Sequence, residues 1–183
     1  ELGIKMKVLP VDILCSDLIV QNPPDRCYHC KKALFTAILD AAKADGFDLL
    51  LDGTNASDDP ADRPGMQALK ELSVRSPLRD CGLTKEEIRR SSKEAGLFTH
   101  NKPAYACLAT RIPTGEVITA QKLHRTEIAE SYLSSLGLRD FRVRSQRNTA
   151  KLQVSASDLE TVFQNRTRIV NELKKYYDSV LLD

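Results

Sequence analysis

Apolar positions recur along this chain at two spacings, and the places where the spacing changes mark its elements. Leu34, Ala37, Ile38 and Ala41 fall at i, i+3, i+4 and i+7, which predicts a helix with one apolar face. Asp25, after Pro23 and Pro24, stands where an N-cap belongs, and Gly46 stands at the stop. Two apolar runs flank this helix. "MKVLPVD", residues 6–12, predicts a short strand that Pro10 confines to an edge or an end. "FDLLLDGTN", from Phe47, is continuously apolar up to Asp52-Gly53, the pattern of a buried parallel strand. The polar loop "ASDDPADRPG" leads to a short helix expected near residues 64–73, and "SPLRDCG" reads as a turn or loop. Thr84 and Glu87 have the spacing of a capping box for the helix "KEEIRRSSKEAG". Strands alternating with helices over residues 6–96 imply an α/β layer.

Residues 97–118, "LFTHNKPAYACLATRIPTGEVI", have little periodicity. A long irregular stretch in a compact chain is more often a functional loop than an accident. From Thr119 the pattern becomes helix, strand "DFRVRS", a turn at Arg147-Asn148, and strand "TAKLQVS". A helix capped by a Ser157–Glu160 box and a last strand, "YDSVLLD", complete an α-β-β-α-β unit. The expected division is therefore residues 1–112 as an α/β domain and 113–183 as a small α+β domain.

Composition narrows the class. Hydrophobic residues make up 42% and charged residues 28% of 183, the balance of a globular protein with a real core. No run is long and apolar enough to predict a membrane span. A net charge of +2 argues against non-specific nucleic-acid binding, so basic clusters count as local sites. The five cysteines are an odd number and no leader pattern opens the chain. Reduced thiols in the cytoplasm are the expectation.

Three stretches carry candidate chemistry. Cys27 and Cys30 in "RCYHC" sit in the first turn of a predicted helix, where backbone N–H groups and the helix dipole favour thiolates. The pair fits a packed helix face, a redox couple, or part of a metal site. Cys107 would supply a third thiol, with His29, His100 or Cys81 as fourth ligands for zinc, whereas three thiolates alone suit an iron–sulfur cluster with one open iron. In "LLLDGTNASDD", a strand end followed by a glycine loop places Asn55, Asp58, Asp59 and Asp62 where α/β sheets bind nucleotides and magnesium. In "FRVRS", alternation sends Arg142 and Arg144 to one strand face, a pair of guanidinium forks suited to phosphate or carboxylate. Arg111 in "ATRIP" and Glu130, which flanks the stripe of Ala129, Tyr132, Leu133 and Leu136, complete the polar set. Solvated faces and loops are the ordinary alternative for each of these charges.

"NPPDRCYHCKKALF", "LDGTNASDDPADRPGMQALKEL", "VRSPLRDCGLTKEEIR", "NKPAYACLATRIPTG" and "LRDFRVR" occur in this order. Together they resemble the ATP-dependent sulfur transferases of the LarE type, in the PP-loop ATP-pyrophosphatase superfamily, over nearly all of residues 1–183. The resemblance implies a parallel-sheet PP-loop (adenine nucleotide alpha hydrolase-like) domain, followed by a small α+β domain for substrate binding and homo-oligomerisation. It implies ATP with Mg2+ as co-reactant and a mononucleotide substrate. The reaction would convert a carboxylate of pyridinium-3,5-biscarboxylic acid mononucleotide to a thiocarboxylate, in nickel-pincer nucleotide biosynthesis, with the sulfide donor left open. Carried onto this chain, Cys107, Glu130 and Arg111 are the expected catalytic residues, and Arg142, Arg144 and Thr110 hold the substrate phosphate. Asn55, Asp58, Asp62 and Arg63 serve nucleotide and Mg2+.

Some members of that group sacrifice the sulfur of a cysteine in the loop before the second domain. Others hold a [4Fe-4S] cluster on three cysteines, and Cys27, Cys30 and Cys107 match this second kind. The sacrificed cysteine aligns with Ala106, which makes Cys107 the better cluster ligand. One departure stands out: the superfamily's S-G-G-x-D-S loop is absent, and no two glycines are adjacent. The abrupt "ELGIK" start leads us to expect a fragment lacking the nucleotide-binding segment. The rival readings are another PP-loop ATP-dependent ligase or tRNA thiolase, and a catalytically inactive module with a structural metal site.

Overall fold

The computed structural model describes residues 3–59 and 64–183. Contacts divide the chain into two compact units, one of residues up to Ile19 with Pro23–Lys102, the other of Val20–Asn22 with Pro103–Asp183. This division falls upstream of the boundary expected after residue 112 and places the irregular loop from Pro103 in the second unit.

The first unit is helical where it is regular. A 3-10 turn at Ile13–Cys15 precedes α1 (Asp17–Val20), followed by α2 (Arg26–Ala44), α3 (Gly65–Glu71), α4 (Pro77–Asp80) and α5 (Lys85–Glu94). The α2 helix starts and stops as its sequence predicts, and Gly46 takes the left-handed φ of +86° after its end. Asp25 caps it by position only: its carboxylate faces His29 Nε2 at 3.2 Å instead of a backbone N–H. The stretch expected to be a turn, "SPLRDCG", contains the one-turn helix α4, because Pro77 at the first helical position presets its φ. Both arms of the Thr84–Glu87 capping box are formed on α5.

The α2 and α3 helices approach closely at Gly65. A Cβ there would lie 2.8 Å from Lys31 Cδ and 3.2 Å from the Cys27 carbonyl oxygen, so a side chain would have to displace Lys31 and crowd that carbonyl. Glu71 at the end of α3 ties the helices together. Its Oε2 accepts hydrogen bonds from the Tyr28 hydroxyl and from Lys32 Nζ, each at 2.8 Å. Those donors, with Gln67, hold the Glu71 carboxyl down at about 2.

Two expected strands do not form. Residues 6–12 are extended but unpaired among the described residues, with Met6 and Val8 84% and 76% exposed. The run from Phe47 makes a single parallel bridge, Leu51 to Arg75, and Phe47, Leu49 and Leu51 are exposed instead of buried. A parallel strand is held by ladders to its neighbours. Here one short segment, through the Arg75 amide and carbonyl, is the only partner among the described residues.

The second unit has a mixed three-stranded sheet covered on one face. The helix α6 (Ala120–Ser135) is capped by the Thr119 side chain on the Lys122 N–H, and leads to β1 (Phe141–Gln146), β2 (Thr149–Val154), α7 (Leu159–Leu173) and β3 (Ser179–Leu182). β1 and β2 are an antiparallel hairpin, and β3 pairs parallel to β2. Val143 of β1 and Ala150 and Leu152 of β2 point into one core with Ala129 and Leu133 of α6 and Val162, Ile169 and Leu173 of α7. The predicted Ser157–Glu160 box is absent. Residues Ala156–Asp158 form a 3-10 turn, Asp158 stands before the helix, and the Ser157 hydroxyl meets that of Ser155 at 2.8 Å.

The residues Val20–Asn22 strap the start of this unit. Asn22 is buried at a left-handed φ of +53°, which asparagine tolerates better than most residues. Its side-chain amide donates to the carbonyls of Ile112, Pro113 and Glu116, and its own carbonyl accepts from the Gly115 N–H. The loop that enters α6 is thereby fixed from a distant point in the chain.

Candidate functional site

Strand alternation gives the sheet of the second unit two chemically different faces. Residues 143, 150 and 152 enter the core, so 142, 144, 151 and 153 must face the other way. On that face the register sets Arg142 opposite Gln153 and Arg144 opposite Lys151. A cavity of about 220 Å³ opens there, lined by Thr110, Arg111, Pro113, Arg144, Gln146, Lys151 and Gln153. Of the two arginines expected to act together, Arg144 lines it and Arg142 stands beside it on the same strand face.

The wall of this cavity is built on a buried ion pair. Arg111 ends the 3-10 turn Leu108–Arg111 and is 1% exposed. Its Nε donates to Glu130 Oε1 at 2.6 Å and its Nη2 to Oε2 at 3.1 Å, a bidentate fork. Glu130 lies inside the unit, not on the helix surface, and accepts two further hydrogen bonds. One comes from the Val143 N–H at 3.0 Å and the other from the Tyr105 hydroxyl at 2.8 Å. With four donors, both carboxylate oxygens are occupied, which is how a buried charge is tolerated. Burial of the hydroxyl end and the bond to Glu130 push the Tyr105 pKa up to about 12, so Tyr105 is a firm donor at neutral pH.

Arg111 also governs the loop that carries Cys107. Its Nη1 donates to the Thr110 hydroxyl at 3.0 Å and the Ala106 carbonyl at 3.4 Å, and the Thr110 hydroxyl donates to the Cys107 carbonyl at 2.7 Å. Cys107 itself is exposed at the head of this turn. Arg144 fastens the other side, donating to the Thr110 carbonyl at 2.7 Å and to Gln153 Oε1 at 2.8 Å. Burial, followed by the like charges of Arg111 and Arg142, presses the Arg144 pKa below the ordinary guanidinium value. Such crowding of positive charge is relieved by an anion.

The candidates of the first unit take other positions. Cys27 and Cys30 begin α2, Cys27 exposed and Cys30 half-buried, and none of the five cysteines forms a disulfide. The buried Arg26 guanidinium lies 3.7 Å from Cys27 Sγ. Within either unit, no three histidine, cysteine or carboxylate side chains among the described residues converge as a metal site. Asn55 and Asp58 belong to a loop closed on itself. The Asn55 N–H donates to Asp58 Oδ2, Asn55 Oδ1 accepts from the Ser57 N–H, and Arg79 Nη1 donates to the Asp58 carbonyl. Asp52 anchors that loop through Ser76 and Thr54. Burial alone would raise its pKa, but those hydrogen bonds outweigh it and the net shift is downward. Asp62 and Arg63, expected at the nucleotide site, lie outside the described residues.

Tyr105, Lys151, Gln153 and Asp183 were not singled out by the sequence pattern. The one available signal was Lys151, which occupies the same alternating phase as Gln153 in "TAKLQVS".

No family model matches the chain. It is 37% identical over 164 residues to an uncharacterized protein of Synechocystis sp., covering 90% of this chain and 61% of the relative. It is 30% identical over 168 residues to an uncharacterized protein of Methanocaldococcus jannaschii, covering 92% and 66%. It is also 30% identical over 174 residues to the pyridinium-3,5-bisthiocarboxylic acid mononucleotide synthase of Lactiplantibacillus plantarum, covering 95% and 63%. The chain thus spans a little under two thirds of the length of each of these relatives. The third similarity, running through both units, supports the LarE-type family to which the motifs of the sequence pointed.

Proposed function

We propose that the protein is a LarE-type, ATP-dependent sulfur transferase of the PP-loop superfamily that acts on a pyridinium carboxylate mononucleotide. The observation that carries this reading is the pairing of a cationic cavity at Arg144 with a cysteine loop fixed by the buried Arg111–Glu130 bridge. The cavity suits a phosphate of small size, and the similarity to the Lactiplantibacillus plantarum synthase extends over both units. In this reading Arg144, with Arg142 beside it, binds the phosphate, and Thr110 orders the turn at the cavity mouth. Glu130 and Tyr105 act through Arg111, as positioning residues for the Cys107 loop.

The chemistry proposed is a two-step replacement. A substrate carboxylate oxygen attacks the α-phosphorus of ATP and releases pyrophosphate, giving an acyl adenylate. A sulfide then attacks the acyl carbon and the C–O bond breaks, releasing AMP and leaving the thiocarboxylate. Asn55, Asp58, Asp62 and Arg63 are proposed for ATP and its magnesium. The donor of that sulfide is left open. A cluster on Cys27, Cys30 and Cys107 is a separate proposal. Iron and acid-labile sulfide that fall together in Cys27→Ala would support it, and metal content indifferent to that change would sink it.

The reading is made for the whole protein, assayed with every residue its gene encodes. Incubation with ATP, Mg2+, sulfide and pyridinium-3,5-biscarboxylic acid mononucleotide should yield AMP, pyrophosphate and a thiocarboxylate seen by mass spectrometry. ATP left intact under anaerobic conditions, or consumed only in the presence of tRNA, would overturn it.

A further inference from the structure

The ladder of the β1–β2 hairpin places Arg144 directly opposite Lys151. Like charges opposed across an antiparallel pair are unfavourable, and both side chains line the same cavity. Neither the Arg111–Glu130 bridge nor Arg142 relieves this pair: Arg111 is engaged by its own carboxylate, and Arg142 is a third positive charge on the same face. The hydrogen bonds of Arg144 run to two neutral acceptors, the Thr110 carbonyl and Gln153.

One anion does reach the pair. Asp183, just past the end of β3, sits 2.8 Å from Lys151 Nζ through Oδ1 and accepts from Gln153 Nε2 at 2.7 Å through Oδ2. Gln153 in turn accepts from Arg144 Nε. A single half-exposed carboxylate therefore serves two cations, one directly and one through an amide. The parallel pairing of β2 with β3 sets this up, because it aligns Leu152 with Leu182 and so delivers the next residue beside Gln153, within reach of Lys151 on the same face.

We propose that Lys151 is a further anion-binding residue of the Arg144 cavity, and that the Asp183 carboxylate is its built-in counter-ion, released when the phosphate monoester of a mononucleotide enters. This rests on the mononucleotide reading above. A phosphate dianion offers more acceptor oxygens than one carboxylate and can take the Lys151 ammonium and the Arg144 guanidinium together. Asp183 holds the empty cavity in shape and competes with weak monoanions, so it tightens selection for a doubly charged group.

The test is calorimetric titration of the full chain at neutral pH and low salt with nicotinate mononucleotide, a pyridinium carboxylate carrying the required phosphate. Its dephosphorylated nucleoside is the control. The expected result is binding of the mononucleotide and not the nucleoside, weakened about tenfold or more in both Arg144→Met and Lys151→Met, as for loss of a charged hydrogen bond. Lys151→Arg keeps the charge and should stay within about threefold of wild type, and Asp183→Asn should bind roughly three- to tenfold tighter. Amide spectra of each variant establish that the hairpin is folded. If Arg144→Met weakens binding and Lys151→Met does not, the role of Lys151 is refuted while the mononucleotide reading stands. If Asp183→Asn weakens binding, Asp183 is a support and not a competitor. If neither Arg144→Met nor Lys151→Met changes binding, or if the nucleoside binds equally well, the mononucleotide reading itself falls.

Discussion

Replacing Glu130 by glutamine changes one atom and removes one charge from the interior of the second unit. The consequence follows from four distances. Glu130 receives Arg111 Nε at 2.6 Å, Arg111 Nη2 at 3.1 Å, the Val143 N–H at 3.0 Å and the Tyr105 hydroxyl at 2.8 Å. Glutamine presents an NH2 group to at least one of those donors, so one contact becomes donor against donor. Arg111, 1% exposed, keeps its charge without a counter-charge or water. Breaking one side of a buried pair costs about 3–5 kcal/mol, a large part of the stability of a small domain. With a urea dependence of roughly 1–2 kcal/mol per molar for a unit of this size, the midpoint should fall by about 1.5–5 M. The measurement is urea unfolding followed by near-UV circular dichroism, with hydrogen exchange of β1 and β2 amides to assign the loss to the second unit. Arg111→Met should cost a similar amount. The pair Arg111→Met with Glu130→Leu should recover much of the loss, since an apolar replacement strands no charge. Losses below about 0.5 kcal/mol for both single variants, or strict additivity in the double variant, would refute the argument.

Three further outcomes are expected. Asn22→Ala loses three side-chain hydrogen bonds and puts a β-carbon with no compensating amide at φ +53°, so it should destabilise the second unit by about 1–3 kcal/mol, measured by the same urea titration. Gly65→Val drives a branched side chain into the Cys27 carbonyl and Lys31, and should lower stability by about 1–3 kcal/mol, with exchange losses concentrated in α2 and α3. Glu71 titrates at about 2 in the folded protein against an ordinary 4.5, so its stabilisation is complete above about 4.5 and is lost as pH falls toward 2. Thermal midpoints of wild type and Glu71→Gln should therefore converge across that window, and a constant difference would be evidence against the α2–α3 tether.

Local features of this protein were legible before any coordinates. The α2 helix and its glycine stop, the Thr84–Glu87 box, and the alternation that turns Arg142 and Arg144 to one face depend on residues within a turn or two of one another. Sequence spacing reports those contacts directly. It failed where pairing decides. The extended runs at residues 6–12 and from Phe47 have strand composition, but a ladder needs neighbours and the described residues supply one bridge. The Ser157 cap was displaced by a tighter turn in which Ser155 and Asp158 bond each other.

The cationic face is where the two kinds of information part. Sequence alone determined that two arginines share one face of a strand and that an irregular, cysteine-bearing stretch leads into the helix from Thr119. Only the tertiary structure turned Glu130 inward to Arg111, brought Asn22 onto a loop about ninety residues away, and set Asp183 between Lys151 and Gln153. A buried charge is placed by its partners. Those partners come from the antiparallel hairpin and from a parallel third strand, whose register no local pattern records.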